Sequence, residues 1–160
     1  MRTVHAYVAD TGPATGAPGV DVVFLDARGR ILGTVRRVHP EGATRDLAAF
    51  RGILLAFWTA RRLGARAVVV HSDNPAVVQQ IAGEIEVAPT LVGPYLQVRA
   101  LMHAYRIARV QTGDMRAGRG ALAAAAMGGR EPHELLDDLP LWERAAVSDP
   151  PPRRSAASGG

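Results

Sequence analysis

The sequence predicts a single α/β domain, and three observations carry that expectation. Val68-Val69-Val70-His71 is a β-branched run that reads as a buried strand, and it ends in Ser72-Asp73-Asn74 at the start of an amphipathic helix. A second strand, Val4 to Ala9, also ends on a carboxylate, Asp10. Three strand-like runs precede one long helix, after which helices and strands alternate.

Taken in order, Thr3–Ala9 alternates well enough for a strand, and Thr11 to Gly19 is a turn-rich loop of Gly, Pro, Thr and Ala. Val20–Leu25 and Ile31–Val38 flank Asp26-Ala27-Arg28-Gly29 and read as a hairpin. Thr44 starts a helix running to about Leu63, with Leu47, Phe50, Leu54, Phe57 and Trp58 on one apolar face and Gly64 as its stop. The strand Val68–His71 follows, then helices over Pro75–Ala82 and Pro94–Tyr105. Ile107–Gln111 is the last strand and Arg116–Met127 an Ala-rich last helix. The domain is expected to span 1–128. An acidic and apolar extension follows over 129–147, then a Pro-, Ser- and Gly-rich tail over 148–160 that reads as disordered.

Composition narrows the function classes. A chain of 160 residues with 48% hydrophobic content can bury roughly two-thirds of its unfolded surface. No window reaches the ~18 apolar residues that would span a bilayer, and the start lacks a signal-peptide pattern, so no membrane role is expected. The absence of cysteine removes disulfides and thiolate metal sites and is compatible with a reducing, cytoplasmic setting. All 19 basic residues are Arg, and the net charge of +4 mildly favours an anionic partner such as nucleic acid.

Two strands that each deliver an Asp to one sheet edge suggest a metal-dependent phosphodiester site, because α/β sheets place their chemistry at the carboxyl ends of strands. The element order and three stretches also resemble the type I ribonuclease H family, over about residues 3–127. The stretch ATRDLAAFRGILLAFWTARRLGARAVVVHSDNPAVVQQIAGEIEV resembles that family's long helix, Ser-Asp strand and following helix without gaps. PYLQVRALMHAYRIARV continues the similarity, and AYVADTGPATGAPGV resembles the first strand with its Asp and a Gly-Asn-Pro-Gly loop. The resemblance implies a ribonuclease H-like fold: a five-stranded mixed sheet, three strands in an antiparallel meander plus two more, flanked by helices.

It also implies four carboxylates converging on two divalent ions, Mg2+ or Mn2+, that clamp the attacking and leaving oxygens of a phosphodiester. The first maps onto Asp10 and the third onto Asp73, the catalytic and metal-binding candidates. The other two positions depart from the family: Ala49 stands where the long helix carries Glu, and Arg119 and Gly120 stand where the last helix carries Asp. Asp46, one turn before Ala49, and Asp114, after the last strand, are the candidate substitutes. Thr11, Gly12, Arg45 and Asn74 are the expected nucleic-acid contacts. Arg45 would touch a phosphate without reading sequence, while Ala17 in the loop Asn position puts 2′-hydroxyl sensing in doubt.

Other residues read as structural. His71 is expected to pack or hydrogen-bond, His103 and His133 lack ligand-like spacing, and Ser72 reads as a helix cap rather than a nucleophile. Trp58 reads as packing, and Arg36-Arg37 and Arg61-Arg62 as solvated pairs. Three functions follow as expectations. The first is a protein that binds an RNA–DNA hybrid or duplex with impaired or lost catalysis, holding at most one metal weakly. The second is an active hybrid endoribonuclease using Mg2+ or Mn2+ with a relocated carboxylate. The third is a protein-interaction module engaging a partner through Glu131–Asp138 and Leu135, Leu136, Leu139 and Leu141.

Overall fold

The computed structural model describes residues 2–11, 19–39 and 43–127. Its strands are β1 (Thr3–Asp10), β2 (Gly19–Asp26), β3 (Ile31–Val38), β4 (Ala67–Ser72) and β5 (Ile107–Gln111). Its helices are α1 (Arg45–Arg62), α2 (Pro75–Ala82), α3 (Val92–Met102) and α4 (Arg116–Met127), with a short 3-10 turn at Pro89–Leu91. The sheet order is β3-β2-β1-β4-β5. β1 pairs antiparallel with β2, and β2 with β3; β4 pairs parallel with β1 and with β5. This is the mixed five-stranded sheet that the resemblance implied.

Strand alternation sends side chains to two cores. Val4, Ala6 and Val8 of β1, Val20, Val22 and Phe24 of β2, and Val68 and Val70 of β4 pack against Phe50, Ile53, Leu54 and Phe57 of α1. On the other face Tyr7, Ala9, Val23 and Leu25 meet Met115, Ala121 and Leu122 at and along α4. A glycine sets each close approach. A Cβ on Gly52 would lie 2.6 Å from Val8 Cγ1, and one on Gly118 would lie 2.4 Å from Tyr7 Cβ, well inside normal contact. Thr44 caps α1, its side chain accepting from the Leu47 N–H at 3.2 Å, and Asp46 in the first turn and Arg61 and Arg62 in the last match the helix dipole.

Two expectations are corrected. The third helix runs from Val92 to Met102 rather than Pro94 to Tyr105. Pro94 falls in its first turn, where the missing N–H has no intrahelical partner to lose. Ala104 and Tyr105 N–H groups turn back onto the Leu101 and Met102 carbonyls, closing the helix early. The cap of α2 is Asn74, not Ser72: Asn74 Oδ1 accepts from Val77 N–H at 3.2 Å, and Ser72 Oγ instead accepts from Asn74 N–H. Among the described residues no helix is long and apolar enough to cross a membrane. Gly12, Ala17, His133 and the expected extension and tail lie outside the described residues.

Candidate functional site at the sheet edge

Because β1 and β4 are parallel neighbours, their carboxyl ends deliver side chains to the same edge. Asp10 closes β1 and Asp73 follows β4 directly, and the Asp10 backbone N–H donates to Asp73 Oδ2 at 3.0 Å. The two predicted carboxylates are therefore brought together. Arg45, at the start of α1, donates from Nε to Asp10 Oδ2 at 2.8 Å. Its side chain remains 75% exposed while that of Asp10 is 26% exposed, so the guanidinium covers the carboxylate from the solvent side.

Val8, Asp10, Val20, Arg45, Ala49, Asp73 and Asn74 line one small hollow of about 10 Å3. That is room for about one water. Ala49 thus faces the Asp10–Asp73 pair with a methyl group. The candidate substitutes lie beside the openings at this edge and are each hydrogen-bonded to protein groups. Asp46 Oδ1 accepts from Asn74 Nδ2 at 2.8 Å, which ties the start of α1 to the start of α2. Asp114 is exposed and accepts from the Arg116 N–H at 2.9 Å, turning the chain into α4. Among the described residues no three His, Cys, Asp or Glu side chains are placed to hold a metal ion. The four-carboxylate set that the resemblance implied is not assembled among the described residues.

A second opening, about 410 Å3, lies beyond Asp73 between Ser72, Pro75, Thr112 to Met115, Arg116 and Arg119. Arg116 and Arg119 line it together with Asp73 and Asp114, and Arg116 Nε lies 3.8 Å from Asp114 Oδ1.

A profile of the reverse transcriptase-like family matches residues 8–127, three-quarters of the chain, spanning both aspartates and the last helix. The chain belongs to this ribonuclease H-like family. Solved structures agree in fold. The N-terminal RNase H domain of a Mycobacterium tuberculosis protein, determined as a maltose-binding-protein fusion, is 24% identical with a TM-score of 0.65, over 81% of this chain and all (100%) of that one. RNase H1 from the halophilic archaeon Halobacterium salinarum is 20% identical with a TM-score of 0.65, over 80% of this chain and 99% of that one. LC11-RNase H1 in complex with an RNA/DNA hybrid is 19% identical with a TM-score of 0.62, over 72% and 89%. No curated protein matches the sequence.

Beside this ribonuclease H-like edge lie groups that sequence reasoning did not single out. His39, just after β3, is 3% exposed, and among the described residues neither ring nitrogen has a hydrogen-bond partner. Burial, then the charges of Arg37 and Arg51, push its pKa down to about 4, with Asp10 pulling the other way. No motif in the sequence marks His39, since its burial depends on how the end of β3 meets α1. Thr11, by contrast an expected contact, has a buried Oγ1 with no partner among the described residues.

The histidine beside Ser72-Asp73 faces the opposite side of the sheet. His71 Nε2 and His5 Nδ1 are 3.2 Å apart, Gln111 Nε2 lies 3.4 Å from His71 Nδ1, and Tyr7 stacks on the ring at 4.3 Å. Burial, then the His5 charge, lowers the His71 pKa. The pair is a hydrogen bond rather than a metal chelate. Ring centroids 5.5 Å apart with 24° between planes place the two nitrogens nearly in line between the rings, so their lone pairs do not converge on a third point. Arg36 forms a two-point bridge to Asp21 at 2.7 and 3.0 Å and is committed there. Trp58 is half-buried and His103 caps α3 at its carboxyl end.

Proposed function

We propose that this protein binds the backbone of an RNA–DNA hybrid or nucleic-acid duplex at the sheet edge, with phosphodiester cleavage impaired or lost. The observation that carries the reading is Ala49: the helix position that faces Asp10 and Asp73 offers a methyl group where a third oxygen donor would close the site. Two carboxylates supply at most half of the negative charge that a two-ion clamp needs. The groups that could meet a phosphate here are arginines, set among the carboxylates of Asp10, Asp73 and Asp114. Arg45 stands over Asp10, and Arg116 and Arg119 line the adjoining opening. The family membership and the hybrid-bound structure of a protein of the same fold support nucleic acid as the partner. A cytoplasmic setting, resting on the cysteine-free sequence, is part of the same proposal.

Hybrid binding by fluorescence anisotropy across a salt series tests the reading. Backbone contacts predict log Kd rising linearly with log salt, by about 0.9 per phosphate neutralised on a B-form duplex. Absence of salt-sensitive binding at low ionic strength would leave the protein-interaction module as the better account.

A further inference from the structure

Divalent ions do not fit the donor set at this edge, and a fixed cation is already there. Asp10 Oδ2 receives the Arg45 Nε–H at 2.8 Å, Asp73 Oδ2 receives the Asp10 backbone N–H at 3.0 Å, and Asp46 Oδ1 receives the Asn74 amide at 2.8 Å. One oxygen of each carboxylate nearest the hollow is thus already an acceptor in a short hydrogen bond.

The way Arg45 is held matters. A guanidinium has five N–H donors in a rigid plane. Only Nε is used on Asp10, and among the described residues the two Nη groups make no hydrogen bond. With the side chain three-quarters exposed, those four donors face solvent beside the strand ends. A planar fork with one edge tied down and the other open suits two oxygens of a phosphate group. The tether also reduces the side-chain freedom lost on binding.

We infer that the Arg45 guanidinium takes the place of the metal charge at this edge, so that the protein grips a phosphodiester backbone through Arg45 without divalent ions. The inference rests on the nucleic-acid reading above and deepens it by naming the cation that meets the phosphate. Asp10 then serves as a positioning residue: its carboxylate orients the guanidinium rather than ligating a metal.

The test measures hybrid affinity of the full chain by anisotropy, in EDTA and in excess Mg2+, for the wild type, Arg45→Ala and Arg28→Ala. Arg28 is the charge-loss control, because it sits in the β2–β3 turn at the opposite end of the sheet, about 20 Å away at the strand rise. Mn2+ binding of the same proteins is read by calorimetry without nucleic acid.

The inference expects wild-type affinity in EDTA and Mg2+ to agree within about twofold. It expects Arg45→Ala to weaken binding about fivefold or more in EDTA, as loss of a charge-assisted contact does, and Arg28→Ala to change it less. It further expects Arg45→Ala to bind Mn2+ more tightly than the wild type, because the carboxylates lose their internal cation. Weaker phosphate binding with stronger Mn2+ binding is a pair of opposed shifts that unfolding cannot produce. Three results would overturn the inference while leaving nucleic-acid binding intact: hybrid binding only in Mg2+, Arg45→Ala binding hybrid as well as wild type, or Mn2+ affinity unchanged by the substitution. Wild type that binds hybrid in neither buffer removes the broader reading and this inference together.

Discussion

Acid should weaken this fold through one buried imidazole, and the size of the effect follows from its surroundings. His39 is enclosed just after β3 with neither ring nitrogen partnered among the described residues, and Arg37 of β3 and Arg51 of α1 add positive charge nearby. Together they lower its pKa from 6.5 to about 4, against the opposing pull of Asp10. The folded state therefore keeps His39 neutral over a range in which the unfolded chain is protonated. Stability is intact above pH 6.5, falls as pH drops toward 4, and is not lost further by this group below 4, where both states carry the proton. At about 1.4 kcal/mol per pH unit of separation, the full effect is about 3 kcal/mol, an upper figure reached near pH 4. Urea unfolding at pH 7, 6, 5 and 4 measures it. The control is His39→Phe, which fills similar space with no titrating group and removes this share of the pH slope while the carboxylates' share remains. Parallel pH profiles for wild type and His39→Phe would refute the reasoning.

Two other substitutions probe the site and its support. Gly118→Ala forces a methyl group to within 2.4 Å of Tyr7 Cβ and 2.5 Å of its ring, and should cost about 1–3 kcal/mol in thermal unfolding as α4 is pushed off the sheet; an unchanged melting curve would contradict the close approach. Ala49→Glu adds a carboxylate to the hollow that Asp10 and Asp73 line and should raise Mn2+ affinity at least about tenfold by calorimetry, since each added charge strengthens an oxygen site. No gain would mean that position 49 does not face the pair.

Much of this arrangement is legible in the residues, for identifiable reasons. Val68 to Val70 and Val4 to Ala9 are strands buried on the helix side, and their apolar content survives without any tertiary information. Since both carry a carboxylate at the same end, pairing them in parallel was enough to bring Asp10 and Asp73 together. The bounds of β3, β5 and α4 agree with the residue pattern because Gly, Thr and Asp punctuate them. The cap of α2 is also readable in the residues: Pro75 at the first helical position points to Asn74, not Ser72, as the cap.

The Arg45–Asp10 bridge was not legible. The two residues are 35 apart, and a long flexible side chain can as easily point into solvent. The Asp46–Asn74 hydrogen bond has a similar origin, because Asn74 stands at the start of a different helix. Sequence spacing placed Asp46 one turn from Ala49 but said nothing of which amide would claim it.

The central claim is that this edge, with Ala49 facing two carboxylates and arginines beside them, holds a phosphate chain rather than cutting it. Its most direct test is incubation of a labelled RNA–DNA hybrid with the wild-type protein in Mg2+ and in Mn2+, beside Asp10→Asn. The account predicts no metal-dependent strand cleavage above the variant's level, even at enzyme excess. Metal-dependent turnover that Asp10→Asn abolishes would contradict it and restore an active hybrid endoribonuclease.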